Sequence, residues 1–264
     1  MGYETIQFER DGAVGILTLN RPDAMNSLTF ELVSEAGQAL AVCENTTEIR
    51  TVVITGNGRA FCAGADVSTL RDRAGNDAGR FLHELADAAH EQMILPIRRM
   101  SKPVIAAVNG VAAGAGVGLA LACDLCVAAE QTKFVLAYSN VAISPDCGTS
   151  FFLPRTVGPG KAMELYLFNE PITAQQAQSL GMVNRVVAAS ELLPTVRDMA
   201  QRLAQGPTMA YGQTKRLLDR SFTNGLADHL HDEALSVGNC AASGDHVEAV
   251  AAFLAKRSPQ FKGR

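Results

Sequence analysis

Two stretches of this chain repeat one pattern: "TVVITGNGRAFCAGADV" (51–67) and "PVIAAVNGVAAGAGVGLA" (103–120). Each is a strand with apolar residues on both faces, then a glycine-containing turn, then a helix start. A strand with no polar face is covered on both sides, which implies a largely parallel sheet whose strands alternate with helices. The other elements follow the same logic. "TIQFERDGAVGILTLN" predicts a hairpin around Asp11-Gly12, and Leu32, Val33, Ala36 and Leu40 predict a helix over 29–43. A polar loop is expected over 71–79, then a long helix to Arg99, bent or ended near Pro96. "VGLALA" reads as helix, "LCVAAE" and "KFVLA" as strands. Beyond Gly160 the chain reads as helical except for a strand at "MVNRVV" (182–187). The shift in composition over 188–195 marks the boundary between a core domain, 1–195, and a helical region, 196–264.

Composition narrows the function. A net charge of −4 with 19% charged residues lacks the basic face that nucleic acids or anionic membranes demand. The nearest thing to such a face, Arg98, Arg99 and Lys102, reads as a solvated helix end. The longest apolar run, 103–129, is broken by glycines, Asn109 and Asp124, so no membrane span is expected. The opening "MGYETIQFER" has no charged segment leading into an apolar core, so no secretory signal is expected. The six cysteines are scattered, which fits reduced thiols in a cytoplasmic protein. Cys123 and Cys126 form a C-x-x-C without a second pair or a nearby histidine, so no metal is expected there.

The glycine turns fail as phosphate loops. "GAGVG" (114–118) has the wrong spacing for a dinucleotide fingerprint, and "VGPGKA" carries Arg155 where a P-loop needs glycine. What they offer is backbone N–H groups at the ends of strands and the starts of helices. Two such donors converging on one point form an oxyanion hole.

Taken together, "LTLNRPDAMNSL" (17–28), "NGRAFCAGADV", "AAVNGVAAGAGVGLALACD" and the tail "FLAKRSPQFKGR" resemble the crotonase superfamily, the enoyl-CoA hydratase/isomerase family, over nearly the whole chain. The resemblance implies an α/β fold, a spiral of β-β-α turns with a C-terminal helical region that assembles homotrimers or homohexamers. An acyl-CoA thioester is then the substrate, with no other cofactor. The amides of Ala65 and Ala115 would be the oxyanion donors, with Gly114 in the same turn; many relatives carry glycine where Ala115 stands. Ala24, Ala63 and Asp66 match positions lining the CoA pocket, and Phe253 and Lys256 match a pair that reaches the CoA, often of a neighbouring subunit. Loop 68–80 and the helix after it would shape the acyl pocket.

Aligned without gaps, the two glutamates of hydratases fall on Gly118 and Tyr138. Neither can act as a base for water: one has no side chain, the other is a phenol. Asp146, in "AISPDCGTSFFLPR", resembles the acting carboxylate of family members that use a single aspartate. These are the epoxide/oxepin isomerases, the Δ3-Δ2 enoyl-CoA isomerases and an aryl-CoA dehalogenase. A proton-shuttling isomerase is the resulting expectation, with Asp146 as base and acid and Tyr138 as a wall or auxiliary donor. The alternatives are a hydrolase or dehalogenase with Asp146 as nucleophile and a protein that only binds acyl-CoA. "HEQMI" (90–94) resembles the dehalogenase's histidine segment, but an ungapped count puts Glu91, not His90, at the histidine position. Glu91 is therefore a candidate pocket residue, unless a local shift restores His90.

Overall fold

The computed structural model describes residues 2–71 and 73–264. Two sheets share the strands. The larger is built from β1 (Ile6–Asp11), β2 (Val14–Leu19), β3 (Thr51–Gly56), β5 (Val104–Val108), β7 (Leu125–Ala129) and β10 (Arg185–Val187), adjacent in that order. The smaller runs β4 (Ala60–Cys62), β6 (Val111–Ala113), β8 (Lys133–Val135), β9 (Ile172–Thr173). In the larger sheet only the β1–β2 hairpin is antiparallel, its turn at Gly12 taking φ +60° as expected; every later pair is parallel. The chain therefore places β3 in one sheet and β4 in the other, adds helix, and repeats with β5–β6 and β7–β8. This is the expected spiral of β-β-α turns.

The both-face apolar strands β3 and β5 are fully covered. On one side lie α1 (Phe30–Asn45), capped by Thr29 Oγ1 accepting from Leu32 N, and the helix leading to Arg99. On the other, α8 (Leu192–Ala204) sets Leu192, Val196, Ala200 and Ala204 against Val53, Ile105 and Val127. Burial of each large side chain contributes about 1.5–3 kcal/mol. Because α8 spans residue 195, the continuous core runs on to Ala204, and the outlying helices begin with α9 (Thr208–Arg220). Then come α10 (Leu226–Ala241) and α11 (Gly244–Leu254).

Four expectations are corrected. Helix α2 (Gly75–Ala89) starts inside the stretch read as loop, and Asp72 in that stretch lies outside the described residues. Pro96 does not end the long helix. Helix α2 continues through a π turn, His90–Ile94, into α3 (Leu95–Arg99), where Pro96 sits in the first turn, a position that tolerates it. The strand read over 182–187 forms only from Arg185, and β9 adds two strand residues where helix was expected. The basic cluster is solvated only at Arg99, which is exposed. Lys102 is buried with Nζ donating to the carbonyls of Cys43, Glu44 and Thr46 at the end of α1, and Arg98 pairs with Asp124 and Asp219. Among the described residues no helix is long and apolar enough to cross a membrane.

Candidate active site

Two turns meet first. Asn26, fully buried, donates from Nδ2 to the carbonyls of Asn57 (2.9 Å) and Ala60 (2.8 Å), fastening the "RPDAMN" segment to the start of β4. Arg21 then ties Ser27 O and Asp66 together (2.7 and 2.9 Å). Leu28 N donates to Gly64 O (2.7 Å), and Leu28 O accepts from Asp66 N (3.0 Å). In such a parallel bridge the residue between the two partners turns its own N–H the other way, so the Ala65 amide faces away from Leu28. The facing turn is that of Ala115. A Cβ on Gly64, whose φ is +86°, would stand 2.9 Å from Ala113 O and 3.4 Å from Ala115 N, so glycine is required for this approach.

Ala115 is the first residue of α4 (Ala115–Ala122), an eight-residue helix buried almost all round. Gly114 precedes it at φ 50°, ψ −119°, which an L side chain rarely visits, and aims the helix start into the cavity. Among the described residues neither the Ala65 nor the Ala115 amide has a protein acceptor. The helix dipole adds positive potential at Ala115.

A cavity of about 650 Å³ opens over these amides. Ala24, Ala63, Ala65, Asp66, Gly114, Ala115, Tyr138 and Asp146 all line it, so the structure gathers these sequence-predicted residues on one surface. Asp66 is held by Arg21 and caps the turn after it through Ser68 N, and burial is outweighed by these bonds, so its carboxyl stays below the usual range. Phe253 and Lys256 do not join the cavity of their own chain; Phe253 is 82% exposed. Glu91 is also absent and faces a second cavity, of about 920 Å³, between the π turn, α5 (Thr149–Val157) and α9. Asp146 borders both cavities.

Asp146 is fixed from several directions. Tyr138 OH donates to Oδ1 (2.9 Å), while Thr149 N and Oγ1 donate to the Asp146 carbonyl (3.0 and 2.7 Å). The next residue, Cys147, has φ +46° and donates its N–H to His90 Nε2 (3.0 Å). Burial raises the Asp146 carboxyl above its ordinary value, with the Tyr138 hydrogen bond opposing. Burial, with the Asp146 charge adding to it, pushes the Tyr138 phenol far up, so it stays a donor. Opposite the loop, a Cβ on Gly118 would meet Cys147 O at 2.3 Å. The Asp146 loop itself thus fills the space at residue 118, where the resemblance would put a hydratase glutamate.

Residue-by-residue reading missed Thr149, Arg21 and Asn26. "RPDAMN" was visible as a motif, but its Arg21–Asp66 and Asn26–Ala60 partners lie 45 and 34 residues away. His90, not Glu91, reaches the Asp146 loop. A π turn adds one residue to the helix relative to a regular α path, which is the local shift that an ungapped count cannot see. The Cys123 and Cys126 thiols are buried and pushed up, Cys126 to about 12. Among the described residues no group of three His, Cys, Asp or Glu side chains could hold a metal.

The chain as a whole is similar to known proteins. Residues 9–264 match the family model described as enoyl-CoA hydratase/isomerase. The 1,2-epoxyphenylacetyl-CoA isomerase of Escherichia coli (strain K12) is 40% identical over 250 residues, 94% of each chain. The crotonyl-CoA hydratase of Syntrophomonas wolfei is 35% identical, over 99% of each. The crystal structure of an enoyl-CoA hydratase from Bacillus anthracis superposes with a TM-score of 0.92 at 30% identity, covering 99% of this chain and all of the other.

Proposed function

Because this chain belongs to the enoyl-CoA hydratase/isomerase family, we propose that it is an acyl-CoA isomerase working through a thioester enolate, with Asp146 as its single proton shuttle. The observation that carries the reading is the closure of position 118. Cys147 O occupies the space of a side chain there, Tyr138 holds the other glutamate position and Arg21 engages Asp66, so Asp146 is the buried carboxyl left to act in the cavity that the two amides line.

In this reading the thioester oxygen accepts from Ala65 N–H and Ala115 N–H, each worth about 3 kcal/mol as the oxygen gains charge. Asp146, its carboxyl raised by burial, removes a proton from one carbon and returns it to another. Tyr138 serves both states of Asp146. Its single hydrogen lies within reach of Asp146 Oδ1 (2.9 Å) and Thr149 Oγ1 (3.0 Å). The ionised carboxylate is the stronger acceptor, and once Asp146 is protonated the hydrogen can turn to Thr149. The isomerase name of the Escherichia coli relative supports a double-bond shift or an epoxide-type rearrangement.

The competing hydrolase reading needs a histidine free to deprotonate water. His90 borders the second cavity together with Asp146, but its Nε2 lone pair is taken by Cys147 N–H. Exposed apolar side chains on α10 and α11, among them Leu226, Val237 and Phe253, support assembly into a homotrimer or homohexamer in which Phe253 and Lys256 reach a neighbour's CoA. Light scattering of the purified protein tests that assembly.

The deciding experiment is solvent deuterium incorporation into a 3-enoyl-CoA, followed by NMR, for the wild type and Asp146→Asn. Exchange and bond migration in the wild type, both lost in the variant, are expected. No exchange in either protein sinks the isomerase reading. Tight CoA binding without exchange would then leave a binding protein, and release of the acid or halide from an aryl-CoA would identify the hydrolase.

A further inference from the structure

We propose that His90 is a positioning residue: as a neutral imidazole protonated on Nδ1, it holds the Asp146 loop through the backbone amide of Cys147. The inference rests on the reading of Asp146 as proton shuttle and adds a residue that acts through it.

The direction of the hydrogen bond is decided by its donor. Cys147 N–H can only donate, so the ring nitrogen 3.0 Å away must present a lone pair. His90 is therefore neutral at Nε2 and carries its proton on Nδ1. The imidazole thus cannot take a proton from water at Nε2, which faces the Cys147 amide.

The amide it receives sits where the backbone most needs an anchor. Cys147 and Gly148 both occupy the left-handed region, φ +46° and +74°, directly after Asp146. That conformation disfavours a non-glycine residue by about 1–2 kcal/mol, and the Cys147 side chain is buried against α4. Thr149 fixes the Asp146 carbonyl, but among the described residues only His90 accepts the Cys147 amide. Without that acceptor the peptide joining Asp146 to Cys147 can rotate, and the carboxylate turns with it.

The π turn explains how the ring gets there. Leu95 N donates to His90 O, an i to i−5 bond. On a regular helix one residue of slip turns a side chain by about 100°. The extra residue turns His90 toward the Asp146 loop while Met93 and Ile94, further along the same turn, stay in the core.

The test compares His90→Gln, whose amide oxygen can accept at about the reach of Nε2, with His90→Leu, which cannot accept. In the deuterium-exchange assay, His90→Leu should lower kcat about 10- to 100-fold with KM within about 3-fold, the scale of a misplaced catalytic group. His90→Gln should keep kcat within about 5-fold of the wild type. Equal loss in both variants would mean that the imidazole itself transfers a proton, and equal retention would mean that it positions nothing. Either overturns the proposal. A second measurement needs neither variant nor substrate: nitrogen-15 NMR of histidine-labelled wild type. An unprotonated, hydrogen-bonded Nε2 with protonated Nδ1 supports the proposal, and the opposite tautomer or a doubly protonated ring defeats it. Because this readout is independent of turnover, its failure is distinct from failure of the isomerase reading.

Discussion

Tyr138 OH lies 2.9 Å from Asp146 Oδ1, a phenol that burial keeps protonated bonded to a carboxylate that burial keeps basic. The bond favours the ionised carboxylate and so partly offsets the burial that raises it. Tyr138→Phe should raise the Asp146 carboxyl further, move the acidic limb of the kcat/KM profile to higher pH, and lower activity on that limb. An unmoved limb would show that the phenol does not stabilise the charge.

Stability should respond to Asp146 with a definite sign. A carboxyl raised in the folded state binds its proton more tightly there than in the unfolded chain. The wild type therefore loses stability as pH climbs from the ordinary aspartate value through the raised one, and stays level above it. Asp146→Asn lacks this loss. Its melting temperature should exceed the wild type's at pH 7, by about 2–4 °C for each kcal/mol recovered, and the gap should close as pH falls toward about 4. Thermal melts from pH 4 to 8 check this, and a gap that widens on acidification would contradict it.

Restoring a hydratase-type carboxylate at residue 118 should fail. Even Gly118→Ala sets a Cβ 2.3 Å from Cys147 O, a backbone atom, and the loop must shift. Overpacking of this kind destabilises by about 1–3 kcal/mol. Gly118→Glu should melt lower still and gain no hydration of crotonyl-CoA. Hydration by this variant would mean that the loop moves aside readily.

Ala115 contributes an amide and a methyl group, and only the amide should matter. Ala115→Pro removes the N–H at the first position of α4, where proline suits a helix. A drop in kcat of about 100- to 1,000-fold is expected, with far-UV circular dichroism unchanged. Retained turnover would remove Ala115 from the oxyanion hole.

Away from the site, Asp124 holds α9 to the core. It accepts from Lys215 Nζ (2.8 Å) and Val104 N (2.8 Å), while Lys215 is buried and its ammonium disfavoured by that burial. Asp124→Asn removes the counter-charge of a buried cation and should destabilise by about 3 kcal/mol. Urea denaturation measures this, and a change under about 1 kcal/mol would show that Lys215 loses its proton or finds water instead.

The sequence by itself determined the repeated buried strands and their parallel sheet, because strands apolar on both faces, such as β3 and β5, have no stable place elsewhere. It hid the short strands β4 and β6 inside the stretches read as turns. The glycines of the two amide turns were legible locally, from residue type and spacing. Resemblance to the family, by contrast, supplied the expectation that both hydratase glutamates are replaced and that Asp146 is the acting carboxylate. Tertiary structure alone decided that His90 rather than Glu91 meets the Asp146 loop, since one extra residue in a π turn rotates a helix face without leaving a mark in the pattern. It alone decided that Gly118 is closed by Cys147 O and that Lys102 and Arg98 are anchors rather than solvated charges. Each depends on a partner 26 or more residues away, and hydrogen-bond geometry between distant segments exists only once the chain has folded.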